Sequence, residues 1–247
     1  MTDKTNETLA DLIQPESRFA RSTNIEFDHR DPETTPDYKF TSKTLGLLED
    51  VLDMCAGTRQ DRAWSIVGPY GSGKSIFCLL LMQLLSRSNS DWLRRSLVQL
   101  QLTSPRLAER VESEILSGAA SYVPVIVQGS RSSLDLALTD ALLRTATDES
   151  MGPSWASEKF LQSLGLHLES IGAGLSDSRT TVELFDQATR LVKLAGSGGL
   201  IVVIDEFGKF LERAAWQGDI SELVTCQYLA ELASGNTEPD LLFSVIL

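Results

Sequence analysis

The sequence predicts an α/β fold in three layers, with helices on both faces of a mainly parallel sheet. Four short apolar runs have the composition of strands, at residues 63–67, 122–128, 200–204 and 241–247. Segments with helical periodicity separate these runs, which is the pattern of parallel strands joined by helical crossovers. The run 200–204 is apolar at every position, as expected of a strand that helices cover on both faces.

Composition narrows the class of protein. The chain has 247 residues, with 22 Lys and Arg against 34 Asp and Glu, and a formal charge of −12. This balance argues against a surface that coats nucleic acid or anionic membrane non-specifically. The three cysteines lack metal-ligand spacing, and neither a signal peptide nor a long apolar run is present. We therefore expect a soluble cytoplasmic protein with no membrane segment.

The N-terminal 40 residues are polar, contain three prolines and lack a sustained hydrophobic period. They are interpreted as an arm that lies over the domain formed by residues 41–247. A helix is predicted to begin behind Thr41 and Ser42, since apolar residues then recur on one face as far as Met54.

A glycine-rich loop follows the first predicted strand. Residues 68–75 match the pattern G-x-x-x-x-G-K-[ST], and a long apolar helix is predicted from Lys74 to about Leu85. Glycines in such a loop let successive backbone N–H groups surround a phosphate, and the helix N-terminus adds its positive dipole end. Lys74 would reach the β- and γ-phosphates, and the Ser75 hydroxyl would ligate Mg²⁺. The predicted nucleotide-binding residues are Gly68, Pro69, Tyr70, Gly71, Ser72, Gly73, Lys74, Ser75 and Ile76.

Further helices are predicted beyond this loop. Their periodic segments are 91–102, 105–117, 132–147, 155–171, 181–194 and 220–233. Because proline has no backbone N–H, Pro124 is expected among the first, unpaired residues of strand 122–128 and not in its middle. His29 and His167 lack a partner at metal-ligand spacing, and His167 is expected on the polar side of its helix.

Two carboxylates follow the apolar run 200–204. Asp205 would face the crevice at the carboxyl end of the sheet and hold Mg²⁺ through its water shell. Glu206 would accept the proton of the water that attacks the γ-phosphate. Acidic residues that end a strand can also be no more than solvated, so these roles depend on the glycine loop upstream.

GPYGSGKS (68–75) followed by LIVVIDE (200–206) resembles the Walker A and Walker B motifs of P-loop ATPases of the additional-strand, catalytic-glutamate division, which includes AAA+ and STAND proteins. The resemblance covers about residues 41–247 and implies ATP and Mg²⁺ as ligands, with Lys74 and Glu206 as catalytic residues. It also implies that a strand lies between the two motif strands, that strand 122–128 is peripheral, and that Gln128 restrains Glu206. Residues 38–41 lie where related ATPases pass a segment over the adenine.

Residues 205–212 are also similar to the large ATPases of BREX-type phage-defence systems. The family elements after the fourth strand, namely a polar sensor residue, a fifth strand, a helical lid and an arginine finger, are not found before Leu247. We therefore expect a P-loop fold that is incomplete at its C-terminus, from a larger protein that forms a homo-oligomer or multi-subunit complex through the missing regions. Nucleic acid is a partner by family analogy alone, since the sequence has no basic stripe.

Two other functions remain open on the sequence. One is a regulatory module that binds nucleotide with little turnover and acts by docking partners. The other is a small-molecule kinase, which the long helical insertions and the Asp205–Glu206 pair make less attractive.

Overall fold

The computed structural model describes residues 23–35, 37–118, 121–148, 155–175, 177–218, 223–235 and 240–247. The four described strands form one sheet in which every pair is parallel, in the order β1-β4-β3-β2. Their bounds are Ala63–Ile66 for β1, Tyr122–Gln128 for β2, Gly199–Asp205 for β3 and Leu241–Ile246 for β4. The α/β class, the parallel sheet and the four strand positions predicted from the sequence are therefore confirmed.

The order of the strands is not their order along the chain. Strand β4 lies between β1 and β3, and β2 is at the edge of the described sheet. This is the arrangement that the family resemblance implies for the strands bearing the two motifs. Pro124 is paired in register with Ile201, so the expectation that it belongs to an unpaired start of the strand is wrong. Its missing N–H is tolerated because β2 is the edge strand of the described sheet.

Helices connect the strands and cover the sheet. The described helices are α1 (Ile25–Arg30), α2 (Ser42–Cys55), α3 (Lys74–Leu85), α4 (Asp91–Thr103), α5 (Pro105–Arg110), α6 (Leu134–Thr147), α7 (Glu158–Gly172), α8 (Ser178–Leu194), α9 (Gly208–Gln217) and α10 (Val224–Gly235). Ser133 and Ser157 accept hydrogen bonds at the starts of α6 and α7, so local capping sets these ends. Residues 220–222 of the predicted helix 220–233 lie outside the described part of the chain.

The structure differs from three further expectations. Helix α9 has no counterpart among the helices predicted from the sequence, although its ten residues are amphipathic and Phe210 and Ala214 are buried. The segment 105–117 is an α-helix that passes into a π-helix at Val111–Leu116. His167 is buried rather than on a polar face, and its Nε2 lies 2.9 Å from the Thr181 hydroxyl of the neighbouring helix.

The hydrophobic core lies in two parts, one on each face of the sheet. Alternate residues of β3 face the two parts, with Ile201 and Val203 on one side and Val202 and Ile204 on the other. Helix α3 is central to the first part, since every residue from Phe77 to Leu85 is buried. Helices α6, α8 and α10 cover the opposite face. The core therefore fixes α3, and with it the loop that precedes α3, against the middle of the sheet.

The described part of the N-terminal 40 residues packs on this core. Helix α1 contacts α3, with Ile25 fully buried, and the Gln83 amide of α3 donates to the His29 carbonyl at 2.8 Å. Glu33 accepts from the Trp92 backbone N–H at 2.8 Å and pairs with Arg95. Residues 1–22 and 36 of the predicted arm lie outside the described residues.

Candidate phosphate-binding and catalytic site

The predicted site residues lie at the carboxyl edge of the sheet. The glycine loop (residues 68–75) follows β1 and runs into α3, Asp205 is the last residue of β3, and Gln128 is the last residue of β2. Gln128 and Asp205 are paired in register. In open parallel sheets, ligands bind in the crevice beyond this edge.

Two glycines give the loop its shape. Gly71 and Gly73 have φ values of +77° and +86°, in the left-handed region that a side chain disfavours. Gly73 is also the N-cap residue of α3, and it has no side chain that could accept a hydrogen bond from the first N–H groups of that helix. A helix N-terminus with free N–H groups and no competing side-chain cap is suited to an anion.

Lys74 folds back over this loop. Its Nζ donates to the Gly68 carbonyl at 2.7 Å and to the Pro69 carbonyl at 3.0 Å. The backbone N–H of Ser72 closes the same turn by donating to the Pro69 carbonyl at 3.2 Å. The ammonium group is thereby held at the loop by two neutral carbonyls, which an anionic oxygen would outcompete.

Ser75 and Asp205 meet across the site. The Ser75 Oγ, in the first turn of α3, donates to Asp205 Oδ1 at 3.3 Å. The Glu206 N–H also donates to Oδ1, at 2.9 Å. Asp205 is 3% exposed, and this burial raises the pKa of its carboxyl group, against the lowering effect of the two hydrogen bonds.

Glu206 is held by two side chains. Its Oε2 accepts from Gln128 Nε2 at 2.7 Å and from the ammonium group of Lys209, the second residue of α9. Partial burial raises the pKa of Glu206, but the hydrogen bonds from Lys209 and Gln128 outweigh it, so the pKa lies below its ordinary value. The carboxylate is 46% exposed and faces the solvent side of the site.

The Gln128–Glu206 contact is the one that the family resemblance implied. Sequence reasoning missed Lys209, although it stands three residues after Glu206, a spacing that brings side chains together once a helix begins there. The Gln128 Oε1 atom is buried and has no hydrogen-bond partner among the described residues.

The remaining residues predicted to lie near a nucleotide differ in their exposure. Tyr70 is 90% exposed and lies at the outer end of the loop, whereas Ile76 is half-buried behind it. Tyr38, in the segment expected over an adenine, is buried in the core, where its ring packs against Phe40 and Phe77. The Tyr38 ring is therefore a packing element between the N-terminal segment and α3.

The oxygen atoms at this edge fit a hard divalent cation. Ser75 Oγ and Asp205 Oδ1 are adjacent, and hydroxyl and carboxylate oxygens are the ligands that Mg²⁺ prefers. Within the described residues no group of three or more His, Cys, Asp or Glu side chains could hold a metal ion on its own. A cation here would therefore need oxygen atoms from phosphate and water, as Mg²⁺ usually does.

Comparison with protein-family models, with curated proteins and with solved structures finds no match for this chain. The site must therefore be interpreted from its own chemistry. None of the described helices is long and apolar enough to cross a membrane.

Proposed function

We propose that this chain binds ATP with Mg²⁺ and hydrolyses the nucleotide, as the ATPase core of a larger AAA+- or STAND-like protein. The contact between Ser75 Oγ and Asp205 Oδ1 carries the proposal. It joins the helix that opens behind a glycine loop to the carboxylate that ends a buried strand, which is the arrangement that ATP hydrolysis needs. The similarity of residues 205–212 to BREX-type ATPases makes phage defence the biological setting we favour.

Phosphate binding is the first task. The backbone N–H groups of the glycine loop and the N-terminus of α3 would surround the β-phosphate. Lys74 would exchange its bonds to the Gly68 and Pro69 carbonyls for charge-assisted bonds to the β- and γ-phosphates. The glycines at 71 and 73 keep Cβ atoms away from the approaching phosphate.

Ser75 and Asp205 would hold Mg²⁺, Ser75 directly and Asp205 through water. The ion, when bound, neutralises charge on the β- and γ-phosphate oxygens. Asp205 suits this role because it is buried and oriented by the Glu206 N–H. A carboxylate that is already oriented needs little rearrangement when the cation arrives.

Glu206 would act as the general base. It would take one proton from water as the water oxygen bonds to the γ-phosphorus and the bond from phosphorus to the β-bridging oxygen breaks, leaving ADP and phosphate. Since Gln128 and Lys209 both engage Oε2, we assign proton acceptance to Oε1.

Calorimetry and a phosphate-release assay test the proposal. Lys74→Ala should lose ATP binding with the fold retained, whereas Lys43→Ala, at an exposed lysine of α2, should bind normally. Glu206→Gln should bind ATP and lose turnover by about 10²–10⁴-fold. Unchanged ATP affinity in Lys74→Ala would contradict the binding site, and full turnover in Glu206→Gln would remove Glu206 as the base. Appearance of a phosphorylated acceptor instead of free phosphate would identify a small-molecule kinase.

One observation favours a second candidate, a regulatory module that binds nucleotide with little turnover. The Glu206 carboxylate is bound by an ammonium and an amide donor, which lowers its basicity. Tight ATP binding without phosphate release by the unchanged chain, alone or in its assembled oligomer, would support this function instead.

A further inference from the structure

Glu206 has an unusual backbone. Its φ is +51°, and among the described residues Arg87 is the only other non-glycine residue with positive φ. The left-handed region costs a residue with a Cβ roughly 1–2 kcal/mol. Surrounding structure must therefore hold Glu206 in this conformation, and such strain is typical of functional sites.

Gly129 makes the close contact that accompanies this conformation. It follows Gln128, which is in register with Asp205, so Gly129 lies beside Glu206. A Cβ atom at position 129 would lie 2.3 Å from the Glu206 carbonyl oxygen and 2.9 Å from the Glu206 Cβ. The φ of Gly129 is outside the left-handed region, so the position requires glycine because of this contact and not because of its own conformation.

The backbone on both sides of Glu206 is tied to the sheet. The Gly129 N–H donates to the Asp205 carbonyl at 2.8 Å, and the Phe207 N–H donates to the Ile246 carbonyl at 3.0 Å. A side chain at position 129 would therefore displace Glu206 itself, because Asp205 and Phe207, the residues on either side of Glu206, are held by these hydrogen bonds. The carboxylate would move with the backbone, away from Gln128 and Lys209.

We propose that Gly129 is a positioning residue for the general base, because its missing side chain lets β2 approach β3 closely enough for Glu206 to adopt its left-handed conformation. This inference rests on the proposed function of Glu206. Gly129 binds Asp205 only at its backbone carbonyl and approaches Glu206, whereas the contact between Ser75 and Asp205 is made by their side chains. Its effect should therefore fall on turnover and not on ATP binding.

Gly129→Ala tests the proposal, with Gly208→Ala as a matched control. Gly208 is two residues after Glu206, but a Cβ atom at position 208 would have open space within 4 Å, and the φ of Gly208 is not in the left-handed region. We expect Gly129→Ala to lower kcat by about 100-fold, the cost of misplacing a catalytic group by about 1 Å, and to leave the Kd for ATP within about 3-fold. Gly208→Ala should leave both close to those of the unchanged chain. Equal kcat in Gly129→Ala and Gly208→Ala would overturn the proposal.

A second measurement covers the case in which Gly129→Ala folds poorly or the chain turns over too slowly. Melting temperatures of Gly129→Ala, Glu206→Gly and the double variant form a thermodynamic cycle. Glycine at 206 has no Cβ and a freer backbone, so the loss of melting temperature caused by Gly129→Ala should be smaller in the Glu206→Gly background. Equal losses of melting temperature in both backgrounds would overturn the proposed dependence of Glu206 on the missing side chain at position 129. Full turnover in Glu206→Gln would instead defeat the proposed base, whatever the cycle shows.

Discussion

Ser75 and Asp205 are 130 residues apart in the sequence, and their side chains meet at 3.3 Å. The contact exists because α3 packs against the middle of the sheet and brings its first turn to the end of β3. Neither residue is unusual by itself, since Ser75 begins a helix and Asp205 ends a strand. Together they place a hydroxyl oxygen and a carboxylate oxygen beside a helix N-terminus.

Removing the Ser75 hydroxyl should separate metal-assisted from metal-free nucleotide binding. In Ser75→Ala, Asp205 loses a hydrogen bond and the expected cation loses a ligand. The ATP affinity should then fall at least about 10-fold in the presence of Mg²⁺ and change little in EDTA, as measured by calorimetry. Ser65→Ala, at an exposed position of β1, is the control. A Mg²⁺ effect of the same size in the control and Ser75→Ala would argue against the cation site.

Replacement of Gly73 and of Gly46 by alanine should change the free energy of unfolding in opposite directions. Gly73 has φ of +86°, so Gly73→Ala should cost about 1–2 kcal/mol of unfolding free energy and distort the loop. Gly46 lies within α2 with no atom near its Cβ position, so Gly46→Ala should stabilise the protein by about 0.5–1 kcal/mol. Urea unfolding of both variants checks this. Equal stability changes would mean that the loop glycine is not conformationally required.

His29 should make the stability of the protein depend on pH. Burial, followed by the charge of Arg30, lowers the pKa of His29 to about 4, and its Nδ1 faces the Gln83 amide at 3.1 Å, where a second proton would oppose a donor. Because the unfolded chain takes up the proton near pH 6.5, stability should fall as pH drops from about 6.5 to about 4, by at most about 1.4 kcal/mol per pH unit.

The measurement is urea unfolding at several pH values between 4 and 7.5. His29→Gln should be less stable near neutral pH, since it loses the packing of the ring on α3, but its slope over this window should be shallower. The same slope in His29→Gln and the unchanged chain would assign the pH dependence to other groups.

Releasing Glu206 from Lys209 should make it a stronger base. In Lys209→Ala the carboxylate loses its ammonium partner, so its pKa should rise and proton acceptance should become more favourable. We expect kcat for ATP hydrolysis to increase a few-fold, with the KM little changed. Lys209→Arg should behave like the unchanged chain, and Lys159→Ala, at an exposed lysine of α7, serves as a control. A decrease of kcat in Lys209→Ala would show that the ammonium assists the reaction.

Much of the fold follows from local patterns in the sequence. The four strands are predictable because each is a short apolar run bounded by loop residues, and α3 because a glycine loop opens a continuous apolar stretch. The predicted ends of helices α6, α7 and α8 lie within three residues of the observed ones, since these helices are long and serines or an aspartate cap their starts. Helix α9 is amphipathic but has only ten residues, so its sequence offers few repeats of the helical period, and the change of register into the π-helix at Val111–Leu116 leaves no regular pattern to detect.

The sequence by itself determined the α/β class, the strand positions and the candidates Lys74, Ser75, Asp205 and Glu206, because short-range pattern and residue chemistry are enough to define them. Only the tertiary structure decided that Lys209 and Gln128 share one oxygen of Glu206, that His167 is buried, and that Gly129 lies against the Glu206 backbone. The physical reason is that these contacts join segments that meet only after β2 and β3 pair and the helices close over the sheet. Their distances and strain are properties of packing, which residue order does not express.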